Sequence, residues 1–182
     1  MGESLKNFQW ILAAVTGPLL CIAVSGCSST VSGITKGVLD KALEDDPAEV
    51  VIRIKSAADI NPDISGRPSP IVVRIYSLKS DDRFNNADFF ALYEEDSTVL
   101  GDTMTSREEL EISPDVRMKI EKEYDLNTTH VGVLAAYRDL DNAIWRGSIE
   151  TPVNEKTYID VTLERLTLSV TAGEKKGGFF SF

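Results

Sequence analysis

The sequence is short of the residues most catalytic and metal sites are built from. It holds one histidine, His130, and two cysteines, Cys21 and Cys27, in 182 residues. A tetrahedral zinc site needs Cys or His ligands in number, and a lone His130 with no free thiol leaves only carboxylates. No G-x-S-x-G elbow, P-loop or dinucleotide fingerprint is present. Nucleophilic and acid–base catalysis therefore have no recognisable constellation, and a non-enzymatic protein without metal or cofactor is expected. Basic residues are also scarce: 19 Lys and Arg stand against 29 Asp and Glu, a net charge of −10. Binding to a phosphate backbone needs the opposite balance, so no nucleic-acid partner is expected. Asp59, Asn61, Asp63 and Ser65 alternate like the start of a calcium loop. Ile64 then stands where the loop needs Gly, and Pro70 where it needs a bidentate Glu, which argues against calcium.

Long apolar runs are confined to the N-terminus. Phe8–Val24 is apolar but interrupted by Gly17 and Pro18, which makes it a poor membrane span and a good secretory signal. It ends in Val24-Ser25-Gly26-Cys27, small residues directly before a cysteine, which resembles the bacterial lipobox. Residues 1–26 are read as a lipoprotein signal peptide and Cys27 as the lipidated residue. Ser28 and Ser29 follow, and the absence of Asp there points to the outer membrane under the bacterial sorting rule. Several acyl chains anchor stably where one is marginal. Cys21 leaves with the signal, so a disulfide framework is excluded. Residues 27–47 form a tether, in which Ile34, Val38 and Ala42 allow a weak amphipathic helix over 34–43.

The remainder reads as strands. Period-two alternation runs through Glu49–Lys55, Ile71–Leu78, the stretches around Leu110 and Met118, Val131–Tyr137, Ala143–Ile149, Ile159–Glu164 and Leu166–Val170. Turn signals punctuate them at the spacing of a β-sandwich. Val131–Tyr137 is apolar on both faces and is expected to be central. Trp145 is assigned to the core and Arg146 to solvent. Ser80–Glu95 breaks the pattern: Phe84, Ala87, Phe90 and Ala91 fall at helical spacing, with Phe89, Leu92 and Tyr93 beside them. One inserted helix is predicted there, capped by Ser80, Asp81 or Asp82, with a short turn over Thr103–Glu108. The sandwich is bounded at 48–171, and residues 172–182 are expected to be a disordered tail.

The first two strands are joined by Asp59–Pro70, DINPDISGRPSP. Three prolines, Gly66, Asn61 and Asp63 make this a shaped loop, and a loop of that length is usually functional. Several pieces, spread in order over the chain, carry a family resemblance. They are the lipobox at Cys27, Ala58–Pro62, Gly66–Pro70, Val73–Leu78, Asp88–Tyr93, Gly132-Val133, Ala136–Leu140 and Ala143–Arg146. Together they resemble the TssJ family, outer-membrane lipoproteins of the bacterial type VI secretion system. The resemblance implies a mainly β, transthyretin-like two-sheet β-sandwich with a small helical addition around 80–95. It also implies a place in a larger membrane complex, with the loop Asp59–Pro70 between the first two strands docking on the periplasmic domain of TssM, the inner-membrane partner. Partner-binding residues would be Asn61, Pro62, Asp63, Gly66, Arg67 and Pro68, with Pro68 and Pro70 holding the shape. Removing Ile60–Arg67 is expected to abolish binding and leave thermal stability nearly unchanged. The competing reading is a periplasmic lipoprotein that binds a sugar or peptide, with an exposed aromatic such as Tyr76 stacking on the ligand.

Overall fold

Val50, Ile52 and Ile54 point one way along the first strand and are at most 1% exposed. They belong to β1 (Ala48–Ser56), and the computed structural model describes residues 48–152 and 155–175. The signal segment, Cys27, the tether with its possible helix over 34–43, and residues 176–182 lie outside the described residues. The further strands are β2 (Ile71–Leu78), β3 (Met104–Ile112), β4 (Arg117–Tyr124), β5 (His130–Ala135), β6 (Arg146–Glu150), β7 (Thr157–Leu163) and β8 (Leu168–Ala172). Two helices, α1 (Asp82–Asn86) and α2 (Phe89–Leu100), lie between β2 and β3.

The strands form two four-stranded sheets, in the orders β4-β1-β7-β8 and β3-β2-β5-β6. β1 and β7 pair in parallel, and every other pairing is antiparallel. β5 is central in its sheet, as its two apolar faces require. The inner faces meet in a core that includes Ile52, Ile54, Val73, Ile75, Val133, Ile159 and Val161. This is the two-sheet β-sandwich that the alternation predicts.

The outer face of the second sheet is covered as well. Tyr76, Leu78 and Leu134 point outward from β2 and β5 and are fully buried by Phe84, Leu92 and Leu100 of the helices. Burying a side chain such as Phe84 contributes about 1.5–3 kcal/mol. Its ring needs room: a Cβ on Gly132 would come within 3.1 Å of both Phe84 and Leu78. Gly132 is the notch that admits the helical layer.

The helical segment departs from expectation in three ways. It is two helices, because Ala87 is extended (ψ 153°) and the Asp88 side chain accepts the Ala91 N–H at 3.0 Å, starting α2 afresh. It reaches Leu100, and β3 then begins at Met104, so most of Thr103–Glu108 is strand. Phe90 is 61% exposed, while Phe89 turns inward between Tyr93 and Trp145 at ring distances of 5.4 and 5.2 Å. Arg146 is also corrected. It is half-buried, and its guanidinium donates to the carbonyls of Phe84 (3.1 Å) and Ala87 across the helix break and lies over the Trp145 ring. Trp145 itself is half-buried and touches both cores.

Candidate functional site: the loop joining the first two strands

β7 runs parallel to β1, and the end of β5 pairs with the start of β2 (Ala135 opposite Val73). The loop after β1, the β5–β6 connection and the β7–β8 connection therefore gather at one end of the sandwich. The β1–β2 loop is fixed there from inside. Ile60 is fully buried, and Asn61, 3% exposed, uses its whole side chain internally. Its amide donates to the Pro70 carbonyl at 2.7 Å, and its side-chain oxygen accepts the Arg138 N–H at 2.8 Å. Its own backbone N–H donates to Arg165 at 3.0 Å. Asn61 sits at φ 47°, a left-handed conformation that Asn tolerates better than most residues.

The outer half of the loop is organised by Asp63. One carboxylate oxygen accepts the N–H groups of Ser65 (2.8 Å) and Arg67 (3.0 Å). The other accepts from the Arg67 guanidinium at 2.7–2.8 Å. The Arg67 N–H, then its guanidinium, hold the Asp63 carboxyl below its usual range. Gly66 supplies φ 77° so that its N–H can turn back to the Asp63 carbonyl at 2.8 Å. A closed turn results, and at its tip Ile64 is 107% exposed. Beside it lies a cleft of ≈ 520 Å³ lined by Pro62, Asp63, Ile64, Arg138, Asp139, Arg165 and Leu166.

The residues predicted for the site thus divide. Pro62, Asp63, Gly66, Arg67 and Pro68 form the visible arch, with Pro62 and Asp63 half-buried along the cleft. Asn61 is a correction: it braces the loop from within and presents no surface. Removing Ile60–Arg67 would consequently take out a core residue along with the tip. Ile64, Arg138, Arg165 and Leu166 were not singled out from the sequence. A solitary β-branched residue amid turn formers was the available signal for Ile64, whereas the other three meet the loop only through the fold.

Other candidates resolve plainly. Tyr76 is fully buried and donates to Asp96 at 3.2 Å, so it cannot stack on a ligand. His130 opens β5 at the far end and rests against Thr129 (2.7 Å). In the calcium-like run, Asn61 faces inward and the Asp63 oxygens are occupied. Among the described residues no group of three or more His, Cys, Asp or Glu side chains could hold a metal ion. No described helix is long and apolar enough to cross a membrane.

Residues 48–166 match the family model described as type VI secretion lipoprotein, VasD, EvfM, TssJ. The chain belongs to the TssJ family of type VI secretion lipoproteins. The crystal structure of the type VI lipoprotein TssJ1 from Pseudomonas aeruginosa is 34% identical. The alignment covers 71% of this chain and 99% of that one, with a TM-score of 0.69. Serratia marcescens Lip, a membrane-bound component of the same system, is 23% identical over 69% of this chain and 98% of its own, with a TM-score of 0.64. A chain of the structure described as the TssM C-terminal domain from EAEC is 22% identical. There the coverage is 68% and 97%, with a TM-score of 0.58. No curated protein matches the chain. The TssJ family is one of structural lipoproteins rather than enzymes, and its two-sheet architecture is the one described above.

Proposed function

We propose that this TssJ-family protein is a non-enzymatic anchor of the type VI secretion membrane complex. It is held at the outer membrane, facing the periplasm, through acylated Cys27, and its β1–β2 loop docks on the C-terminal domain of TssM. A structural neighbour belongs to a structure described by the TssM C-terminal domain, and another to a type VI membrane complex. Both fit a role in assembly. The observation that carries the reading is the exposed Ile64 on a turn whose base and arms are already hydrogen-bonded. A contact surface organised before binding loses little conformational entropy on docking. Pro62, Ile64, Arg67 and Pro68 would make the contact, Asp63 and Gly66 shape it, and Asn61 hold it.

The test is Ile64→Asp in the full chain, with binding to the cognate TssM C-terminal domain measured alongside thermal unfolding. Binding should weaken on the order of tenfold or more, the scale of a lost interface anchor. The unfolding midpoint should stay at the wild-type value, because the side chain is entirely outside the core. Unchanged binding would remove the loop from the interface.

A further inference from the structure

The cleft beside Ile64 differs in charge from the rest of a chain carrying −10 overall. Its carboxylates are occupied. Asp63 is bound by Arg67, and Asp139 accepts the Asn142 amide at 2.9 and 3.0 Å. Its cations are less engaged. Arg165 approaches Asp59 only to 3.9 Å, and both side chains are more than half exposed. The exposed Arg138 guanidinium makes no hydrogen bond or ion pair among the described residues and acts on Asp63 only at a distance. Its backbone is fixed nonetheless, through the N–H held by Asn61. Two arginines from different loops therefore line one cleft with their charges available. Apolar groups flank them: Ile64 on one side, and on the other Leu166, whose carbonyl accepts the N–H of the exposed Ile144 at 2.9 Å.

We propose that this cleft receives an acidic side chain of the partner, with the carboxylate bound by Arg138 and Arg165, while Ile64 enters an apolar recess on the same partner. The inference rests on the docking reading above and gives it a chemistry. Guanidinium groups suit a carboxylate because their planar fork can donate two parallel hydrogen bonds. A fixed backbone under Arg138 limits what must be ordered on contact. The partner is thus a protein surface pairing an acidic residue with a hydrophobic pocket, and the interface extends from one loop to three.

The experiment measures binding of the full chain to the cognate TssM C-terminal domain for wild type, the double variant Arg138→Glu/Arg165→Glu, Arg138→Lys and Ile64→Asp. Far-UV circular dichroism and the thermal midpoint control for folding; both arginines are exposed, so neither should change. The double variant should bind about tenfold or more weakly, as like charges are brought together. Arg138→Lys should fall between it and wild type. Raising the ionic strength to about 0.5 M should weaken wild-type binding and partly restore that of the double variant, whose repulsion it screens. Should the double variant bind like wild type while Ile64→Asp fails, the acidic-partner inference falls and loop docking stands. If wild type itself does not bind, both fall together.

Discussion

The side-chain oxygen of Asn61 accepts the backbone N–H of Arg138 at 2.8 Å, across 77 residues of sequence. That bond ties the root of the arch to the β5–β6 connection, and the same side chain donates to Pro70. Asn61→Ala should therefore destabilise the protein by about 2–3 kcal/mol. It would orphan two backbone groups and place alanine in a left-handed conformation. Asn61→Gly should cost less, since it retains the backbone freedom. Urea denaturation measures both. A variant with wild-type stability and no partner binding would instead make Asn61 a direct contact.

Asp63 predicts how the arch responds to acid. Its folded pKa lies below the ordinary 3.8, so its bonds to Ser65 and Arg67 are fully present above that value and are lost as pH falls through the lower, folded one. Amide resonances of Ser65 and Arg67 should hold steady from neutrality to about pH 5 and move together only below the usual carboxylate range. In Asp63→Asn the joint movement should disappear. Titration near pH 6 would contradict the assignment.

Asp96 fastens the helical layer to the sheet. It is 4% exposed and takes the Arg107 guanidinium at 2.6 Å, the Arg74 guanidinium at 3.5 Å and the Tyr76 hydroxyl at 3.2 Å. Burial alone would raise its pKa, but Arg107, the Tyr76 hydroxyl and Arg74 together outweigh burial and the net shift is downward. Burial also pushes Tyr76 up to about 12. Asp96→Ala should cost about 3 kcal/mol, at the lower end for breaking a buried pair, because Arg107 is partly solvated. Asp96→Asn should cost less. The Asp96 contribution is intact above the ordinary carboxylate pKa and is lost as pH drops through the folded value. Chemical denaturation at neutral pH and near pH 3 resolves it.

Cys27→Ser tests the attachment. The variant should move from the membrane fraction to the soluble periplasmic fraction on cell fractionation, with the unfolding midpoint of its sandwich unchanged. Persistence in the membrane fraction would place the anchor elsewhere.

Much of the sandwich is legible in sequence because strands such as β2, β4 and β7 alternate between a more covered and a more open face, and alternation reports the covered one directly. Alternation does not report what lies above the other face. Tyr76 was rightly turned outward from β2, yet α1 and α2 cover it. Helical spacing grouped Phe84 with Phe90, but the break at Ala87 and Asp88 resets the helical phase between them, so one is buried and the other exposed. Arg146 looked solvated because its acceptors, the carbonyls at the helix break, are some sixty residues away. In the loop, turn chemistry located the arch. It could not separate Asn61, which faces inward, from Asp63, which shapes the surface, because both residue types favour turns for similar reasons.

The brackets on Asn61 come from Arg138 and from Arg165, both far downstream. During synthesis the arch is among the first parts of the domain to appear and its tip can close on its own bonds, but its seat on the sandwich must wait until residue 165 has taken its place. A truncated or half-folded copy would carry the closed turn without its footing, free to pivot where the complete chain holds it still.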